Sequence, residues 1–488
     1  MLSHRPYLIA LATIASTTVL NACTSAPALP QDSKPMIDLP AVIAPARASS
    51  SQVEFGDGQM YWKIFKDPIL DALIAEANQN NQDLALASAR IAESEAALVL
   101  LNASLLPSLD LNAGVSRRAL SQNSASFNPS AKLFSGDKQF GLSASYEIDF
   151  WGRVNQAGQA ARARLLAAQN SRGVVLTTLF ANTAQAYFQL RSWDGQVRLA
   201  EQILATRREN LQLQERRFKG GLTSQLDVSQ AQSELANIEN SLIQAKQAQA
   251  STAALLTVLL GRKPADILNP IITKGLDTQS SITALYGVPA VPANLPADVL
   301  NRRPDIQAAQ QLLAAANADI ALAKLAYYPR ISLTASLGEQ SKDLSNLFSA
   351  SSLFWNLAGN LTAPIFRAGA IQAQVAATSA RQQQAVAQYV QTVQVAFKDV
   401  HDALKTIDAS RELVDSSSKR IDALATTLRL AQLRYKGGYS SYLEVLNAQR
   451  DLAQAQASLI DLQRAGLAAT VSLYRALGAG WQPNQRAI

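Results

Sequence analysis

The 488-residue sequence offers few side chains that could bind a metal or act as a catalytic nucleophile. It has one cysteine, Cys23, and two histidines, His4 and His401. These are too few ligands for a structural zinc site, and they leave no plausible Cys–His pair. Aspartates and glutamates are plentiful but form no recognisable catalytic constellation, and no nucleotide-binding loop is visible. The sequence therefore predicts a protein without enzymatic activity, metal or cofactor.

The cysteine lies at the end of a predicted secretory signal. Arg5 supplies positive charge, and the apolar run 8–20 is too short to span a membrane. The residues up to Cys23 resemble a bacterial lipobox, in which the cysteine becomes the lipidated first residue. In lipoproteins, the absence of aspartate at the next position, here Thr24, indicates sorting to the outer membrane. A plain signal peptide with an incidental cysteine is the alternative.

The rest of the chain is organised around a stretch that occurs twice. Residues 217–261 match residues 434–478 without a gap, which indicates an internal repeat. In each copy a helical pattern ends in Lys-Gly-Gly, where glycine tolerates the left-handed backbone that terminates a helix. Candidate N-caps follow at Thr223-Ser224 and at Ser440-Ser441. Both stretches are predicted to be tight helix-turn-helix tips.

The helices that flank these tips have the spacing of a coiled coil. Apolar residues alternate at intervals of three and four after each tip, as at Val228, Ala231 and Leu235. Proline-free stretches of about 95 Å, if helical, run from Val154 to Arg217 and, in the second copy, from Gly369 to Lys436. A single copy could be an ordinary helical hairpin, but two copies indicate a two-fold repeated architecture.

Four segments have the alternating pattern of amphipathic strands. Their apolar positions begin at Leu109, Phe140, Ile331 and Trp355, and polar residues lie between them. This length and alternation is typical of outer-membrane barrel strands, although two soluble hairpins are the alternative. Aromatic residues cluster near the strand ends, as in membrane girdles: they are Phe140, Phe150, Trp151, Tyr327, Tyr328, Phe354, Trp355 and Phe366. Because four strands cannot close, three chains are expected to contribute twelve strands to one barrel.

The patterns divide the chain into ten segments. Their predicted bounds are 1–22 for the signal peptide, 23–66 for a lipidated tether and equatorial segment, 67–106 for the first helical region, 107–151 for strands one and two, 152–261 for the long helix, tip and return helix, 262–304 for an equatorial insert, 305–328 for the second helical region, 329–366 for strands three and four, 367–478 for the second long helix, tip and return helix, and 479–488 for the tail. The net charge of +7 is scattered, without a basic stripe, so nucleic-acid binding is not expected.

The most specific motifs carry a resemblance to a known family. They are Leu295-Pro296-Ala297-Asp298-Val299-Leu300-Asn301-Arg302-Arg303-Pro304-Asp305-Ile306, Asp149-Phe150-Trp151-Gly152-Arg153 and the two tips. With them, essentially the whole mature chain resembles the TolC/OprM outer membrane factor family, specifically its lipoprotein branch. The resemblance implies a mixed α and β membrane protein. It would be a homotrimer with a 12-strand transmembrane β-barrel, a 12-helix periplasmic α-barrel and a mixed equatorial domain.

The resemblance also implies where the periplasmic aperture lies. The matching positions are Tyr435, Leu443, Glu444, Asn447 and Arg450 around the second tip, and Asp227 beyond the first. Three symmetric carboxylates facing a narrow axis would repel one another and attract cations, and three apolar Leu443 side chains could add a dewetting constriction. Asn447 stands where an aspartate is common in the family, so Glu444 and Asp227 would carry that role. Solvated acids at helix N-termini are the alternative.

The tips themselves are implied to contact a periplasmic adaptor, or membrane fusion protein. The matching positions are Gly220, Gly221, Leu222, Thr223, Gly437, Gly438, Tyr439 and Ser440. Glycines permit close approach of helix ends, while the leucine and the tyrosine offer apolar contact.

The predicted function is that of an outer-membrane exit duct in a tripartite efflux system. It would passively conduct drugs or other small toxic compounds from an adaptor and a proton-driven inner-membrane pump, and so support multidrug resistance. The protein would be anchored at Cys23 among outer-membrane lipids of a Gram-negative bacterium and extend into the periplasm. Type I protein secretion and metal-ion efflux are alternatives, although few histidines and no methionine cluster disfavour metal. A lipid-anchored hydrolase is the alternative from another class.

Overall fold

A computed structural model describes residues 42–43, 60–123, 133–268 and 295–481. The main elements, in chain order, are β1 Val42–Ile43, α1 Pro68–Asn80, α2 Gln82–Ala103, β2 Ser108–Ala119, β3 Phe134–Ile148, α3 Arg153–Lys219, α4 Gln225–Leu259, α5 Pro264–Leu268, β4 Leu295–Pro296, α6 Pro304–Lys324, β5 Arg330–Ser341, β6 Leu353–Thr362, α7 Ala370–Lys436 and α8 Tyr442–Ala476. Short 3-10 turns cover Tyr61–Phe65 and Ala297–Arg302.

The chain divides into two compact units. The first, here called the sheet unit, contains residues 91–167 and 309–389 and includes β2, β3, β5 and β6. The second, here called the hairpin unit, contains both tips and the core that surrounds α1. None of the helices in the described part of the chain combines the length and apolar character needed to cross a bilayer.

The sheet unit contains one antiparallel sheet with the strand order β2-β3-β5-β6. Its register places apolar residues opposite apolar residues through all four strands, as in the row that joins Leu111, Leu142, Leu337 and Trp355. The opposite face carries polar and small residues, because successive side chains of a strand point to opposite faces. The apolar face is exposed, with Leu111 63% and Trp355 74% accessible in the single chain. The four predicted strands and their amphipathic alternation are confirmed.

The two halves of the chain have helices of equal length. Helices α3 and α7 contain 67 residues each, and α4 and α8 contain 35 each. The sequence bounds for these helices agree with the structure within about two residues, because proline and the glycine pairs mark their ends. The predicted long helices and the internal repeat are confirmed.

Aromatic side chains form the core of the hairpin unit. Tyr61 stacks on Tyr474 with ring centroids 5.4 Å apart, and Phe65 lies edge-on to Phe188 at 4.9 Å. Nearby, the buried hydroxyl of Tyr187 donates to the carboxylate of Asp67 at 2.6 Å. The other oxygen of Asp67 accepts from two backbone N–H groups at the start of α1, so this carboxylate is the N-cap of the helix.

The pKa of the Tyr187 hydroxyl lies well above its ordinary value. Burial disfavours the charged form, and the hydrogen bond to Asp67 adds to the shift. This hydroxyl therefore remains a proton donor at neutral pH. The pair fixes α1 against α3 without using either group for chemistry.

A break at Asn81 divides the first helical region, which the sequence pattern extends from about Ile69 to Leu105. The backbone of Asn81 is extended, and its side-chain oxygen accepts from the amide of Asp83 at 2.8 Å. Its side-chain amide donates to the carbonyl of Leu259 at 2.9 Å, at the end of α4. One asparagine thus caps the start of α2 and the end of α4, which local periodicity alone does not indicate.

Arg303, within the Asn-Arg-Arg-Pro-Asp motif, is an ion-pair centre of the hairpin unit. Its side chain is 9% exposed and contacts Asp305 at 2.7 Å and Asp399 at 3.3 Å. It also donates to the carbonyl of Ala476 at 3.0 Å, the last residue of α8. The motif therefore ties the start of α6 to α7 and to the end of α8.

The proposed division into ten segments stays a prediction. The signal peptide 1–22, Cys23 and most of the tether fall outside the described residues, as do 124–132, 269–294 and 482–488.

Strand β6 ends at Thr362, so Pro364 follows the strand, where its missing N–H removes no ladder hydrogen bond.

Candidate functional site at the hairpin tips

Both tips end their long helices with the same hydrogen-bond pattern. At the first tip the amide of Gly221 donates to Phe218 O at 2.9 Å, and Leu222 N donates to Arg217 O at 2.8 Å. At the second tip Gly438 and Tyr439 repeat these bonds at 3.1 and 2.9 Å. Gly221 and Gly438 have φ values of +71° and +76°, which L-residues rarely adopt. These are Schellman caps, and they explain why each pattern ends in a glycine pair.

The first tip is closed by a complete capping box. The hydroxyl of Ser224 accepts from the amide of Asp227 at 3.3 Å, and the Asp227 carboxylate accepts from Ser224 N at 3.2 Å. The carboxylate also accepts from the hydroxyls of Thr223 and Ser224. Partial burial acts to raise the pKa of Asp227, but these hydrogen bonds outweigh it and lower the pKa below its ordinary value. Asp227 is therefore committed to its own helix terminus.

The second tip lacks this box. Ser441 is the N-cap of α8 but makes no side-chain capping bond. Glu444, which corresponds to Asp227 in the repeat, instead faces the guanidinium of Arg434 at 3.5 Å, and both side chains are about half exposed. An exposed ion pair of this kind stabilises a structure by about 0–1 kcal/mol. The carboxylate of Glu444 is consequently much less constrained than that of Asp227.

An aromatic pair within the second hairpin contacts the first hairpin behind the tips. The rings of Tyr435 and Tyr442 lie 5.5 Å apart, and the guanidinium of Arg217 lies 5.3 Å from the centre of the Tyr435 ring. The amide of Gln214 donates to the Tyr435 hydroxyl at 3.1 Å. Two residues of α3 thus hold the end of α7, and the contact combines a cation–π interaction with a hydrogen bond.

A polar layer lies about two turns deeper in the helices. Arg450 of α8 forms a salt bridge with Glu234 of α4, and Arg207 of α3 donates to the side chain of Gln449. Arg207 and Glu234 are 5% and 8% exposed. Burial lowers the pKa of the Arg207 guanidinium, although Glu234 opposes the shift. Arg207, Glu234 and Arg450 border a cavity of about 310 Å³ between α3, α4 and α8.

The structure therefore separates the residues that the sequence selected into three groups. Tyr435 and Arg450 lie in contacts between the hairpins, and Asp227 caps a helix. Leu443, Glu444 and Asn447 are exposed. Leu222 and Tyr439, at the turns, are 80% and 82% exposed.

Sequence reasoning missed four of the partners in these contacts. They are Arg207, Gln214, Glu234 and Gln449. Each lies in a helix whose own pattern gives no sign of a partner more than 200 residues away. The coiled-coil spacing was the available signal, since Glu234 lies seven residues after Asp227 on the same helix face. In the residues that the structure describes, no cluster of three or more His, Cys, Asp or Glu side chains could hold a metal.

The sheet of four strands is apolar on one face and is joined in sequence to two 67-residue helices with matching tips. These features define the chain as one subunit of an outer-membrane channel. Comparison with known proteins specifies the family. Residues 73–262 and 295–479 match the model for "Outer membrane efflux protein", once for each half of the repeat. The chain belongs to the outer membrane efflux protein family, the TolC-like outer membrane factors.

Individual relatives agree with this assignment. The chain is 34% identical to the antibiotic efflux pump outer membrane protein ArpC of Pseudomonas putida, with 91% of both chains covered. It is 35% identical to the cation efflux system protein CusC of Escherichia coli, over 86% of this chain and 88% of that protein. Among solved structures, CusC superposes with a TM-score of 0.78 at 31% identity, over 91% and 99% of the two chains. The Neisseria gonorrhoeae MtrE channel gives a TM-score of 0.80 at 29% identity, over 94% and 99%.

The protein is thus an outer-membrane channel of an efflux system and not an enzyme. The resemblance stated from the sequence motifs, and the TolC-like fold it implied, are confirmed. The particular roles assigned to individual tip residues remain predictions.

Proposed function

We propose that three copies of this chain form a passive duct that conducts drugs and other small toxic compounds out of the cell. The open edges of the four-stranded sheet carry this proposal. Strands β2 and β6 are the two edges, and an unpaired edge is unfavourable in hydrocarbon, where no water can replace the missing hydrogen bonds. The exposed apolar face is compatible with lipid, so closure by further copies satisfies both requirements.

The strand directions support closure between copies. Each neighbouring pair in the order β2-β3-β5-β6 is antiparallel, so β6 runs opposite to β2. The β6 edge of one chain can therefore pair antiparallel with the β2 edge of the next, and three chains give twelve strands in a closed barrel. A continuous ladder of this kind is expected to leave no edge exposed to lipid.

Cysteine crosslinking tests this arrangement. Asn112 on β2 would be replaced by cysteine together with Asn356, Ala358 or Asn360 on β6, and membranes would be oxidised. Disulfide-linked dimers and trimers are expected for at least one pair. The control replaces Asp110 together with Ser143 of β3, which lie directly opposite each other within the same chain and should give only an intramolecular bond. Monomers for every edge pair would contradict a shared barrel.

The second hairpin is proposed to form the aperture, with Glu444 as its main charge. The lack of a capping box and the exposed pair with Arg434 support this assignment, because a weakly held carboxylate can exchange partners when the hairpin moves. Asp227 is a poorer candidate, since its carboxylate is occupied by Thr223 and Ser224. Leu443 and Asn447 are proposed to line the same aperture, and Arg450 and Tyr435 to hold it closed against the first hairpin.

Planar-bilayer recording tests the charge. Glu444→Gln is expected to lower cation selectivity and change the conductance, because three carboxylates are removed at one level of the pore. Asp415→Asn is the matched control, since it removes an exposed carboxylate that pairs with Lys419 within α7 at 2.6 Å. Unchanged selectivity in Glu444→Gln, or an equal change in the control, would contradict the role of Glu444.

The turns are proposed to contact an adaptor, as the exposure of Leu222 and Tyr439 supports. Replacing either with serine removes apolar contact area without affecting a Schellman cap, and is expected to weaken adaptor binding. Leu433, 55% exposed and one turn back in α7, provides the control when replaced with serine. Equal binding by all three variants would argue against the turns as the contact.

The remaining assignments concern the anchor, the pump and the cargo. Cys23 is proposed to carry the lipid anchor, and a proton-driven inner-membrane pump is proposed to supply the energy. Drug efflux is favoured by the likeness to an antibiotic efflux protein, while the likeness to CusC keeps metal-ion efflux as the second candidate. Deletion of the gene, followed by susceptibility tests with antibiotics, dyes, detergents and metals, distinguishes them. Sensitivity confined to metals would overturn the choice of drugs.

A further inference from the structure

The apolar face of the sheet carries charge at only one end. The register defines this face from β2 to β6, and the charged residues that it contains within the described strands are Arg117, Lys138 and Glu339. All three lie next to the loops that connect β2 to β3 and β5 to β6. At the other end, where the strands continue into helices, the same face ends in Leu109, Ile148, Ile331 and Leu361.

Aromatic side chains of β3 flank the two cations on this face: Phe134 lies on the loop side and Phe140 on the side of the apolar rows. Lys138 and Phe140 are successive residues on this face of β3. Phe140 is 41% exposed, and Phe134 is 55% exposed. The guanidinium of Arg117 lies 5.4 Å from the centre of the Phe134 ring. Aromatic residues followed by cations are typical of the level at which acyl chains give way to headgroups.

The two cations are close enough to act on one group. Val115 lies opposite Lys138, and Arg117 lies opposite Gly136, so Arg117 and Lys138 are diagonal neighbours at roughly 7–8 Å. The ammonium of Lys138 donates to the carbonyl of Lys342 at 2.7 Å, a neutral acceptor. No carboxylate among the described residues forms an ion pair with either side chain. Glu339, near Lys138 on β5, is the one acid that the described strands place on this face.

We propose that Arg117 and Lys138 bind the phosphate of a glycolipid headgroup in the outer leaflet. The proposal rests on the proposed placement of the strands in the outer membrane, with the strand–strand loops outside. In a Gram-negative bacterium that leaflet consists largely of phosphorylated glycolipid. A phosphate presents oxygen atoms to both a guanidinium and an ammonium, while acyl chains lie against the apolar rows that begin with Leu111 and Leu142. One lipid per chain would thus be held by charge and apolar contact together.

Binding of lipid A to the purified full-length protein in detergent tests this site. Arg117→Gln with Lys138→Gln is expected to weaken binding of diphosphorylated lipid A at least about tenfold, the usual range for losing charge-assisted hydrogen bonds. Arg117→Lys with Lys138→Arg should bind like the wild type. Glu339→Gln should tighten binding, because it removes the nearby negative charge. Arg118→Gln is the control, since Arg118 lies on the opposite face, and should change binding less than about twofold.

The choice of ligand supplies further outcomes. Dephosphorylated lipid A should bind the wild type as weakly as diphosphorylated lipid A binds the double glutamine variant. Equal binding of both lipids by the wild type would mean that acyl chains suffice, and would overturn the proposal. So would full displacement by millimolar inorganic phosphate, which would indicate a site for the free ion, and so would equal losses in Arg118→Gln.

Pore conductance separates this proposal from the proposed function. The double glutamine variant is expected to form trimers and conduct like the wild type while losing the lipid. A wild type that conducts but does not distinguish the two lipids overturns only the lipid site. A wild type that forms no pores contradicts the proposed duct, whatever lipid it binds.

Discussion

The unequal caps of the two tips predict unequal responses to the same substitution. Asp227 and Glu444 occupy equivalent positions in the repeat, three residues after the N-cap serine. Replacing either with alanine removes one negative charge from a helix N-terminus, so the loss of interaction with the helix dipole, about 0.3–1 kcal/mol, is the same for both. The difference between the variants therefore compares the capping box of Asp227 with the exposed ion pair of Glu444.

The magnitude follows from the contacts. Asp227→Ala removes the acceptor for Thr223 Oγ1, Ser224 Oγ and Ser224 N, which is expected to destabilise the tip by about 1–2 kcal/mol. Glu444→Ala removes one exposed ion pair at 3.5 Å, which contributes about 0–1 kcal/mol. A difference near 1.4 kcal/mol corresponds to about a tenfold difference in the local opening equilibrium.

Hydrogen–deuterium exchange of the backbone amides provides the assay. At pH 7, exchange in residues 228–231 should accelerate about tenfold more in Asp227→Ala than exchange in residues 445–448 accelerates in Glu444→Ala. Circular dichroism of each variant checks that the helices remain intact. Equal acceleration at both tips, or none at the first, would refute the inference that Asp227 is held by its own hairpin.

The pH dependence of stability tests independently whether the Asp227 carboxylate stabilises the folded tip. The pKa of Asp227 is lower in the folded protein than in the unfolded chain, where it is about 3.9. Its carboxylate therefore stabilises the folded tip above the unfolded pKa, and the stabilisation is lost as the pH falls through the folded pKa. The difference between wild type and Asp227→Ala in the free energy of opening the tip should be constant above about pH 5 and become smaller below about pH 4. A gap that widens on acidification would contradict this sign.

Three further substitutions concern the hairpin unit, and thermal unfolding measures each. Tyr187→Phe leaves the carboxylate of Asp67 with a buried oxygen that lacks its donor, and should cost about 1–3 kcal/mol; Tyr61→Phe should be nearly neutral, because no described group bonds its buried hydroxyl. Arg303→Met leaves two aspartates without their cation and should lower the free energy of unfolding by about 3 kcal/mol or more. A decrease below about 1 kcal/mol would indicate that these ion pairs are exposed to solvent. Asn81→Ala removes caps from two helices and should lower the free energy of unfolding by about 2 kcal/mol. No change would indicate that water replaces both bonds.

The sequence predicted the elements well because their signals are local. A glycine pair after a basic residue, a serine at the next helix start, and strict alternation in a strand each depend on a few neighbouring residues. The positions of Gly221 and Gly438 could therefore be assigned from the sequence alone. The four strands could also be assigned, although β3 begins at Phe134, earlier than its clearest alternation.

The contacts that hold the tips could not be predicted in the same way. Arg450 pairs with Glu234, 216 residues earlier in the chain, and nothing in either helical pattern selects that partner. Asn81 looks like any polar residue within a helix until the end of α4 is placed beside it. Asp227 and Glu444 look equivalent in the sequence, yet only Asp227 forms a capping box, while Glu444 faces Arg434.

Equal helix lengths in the two repeats limit how this channel can change in size. The tips touch through Gln214 and Tyr435, so one extra helical turn in a single hairpin would displace its tip by about 5.4 Å and remove that contact. An insertion is tolerable only when all four helices acquire it together, in steps that preserve the same packing face. The length of the hairpins can therefore change only in steps that both repeats make together. A partner that fits one hairpin length would not fit a chain in which only one repeat has been lengthened.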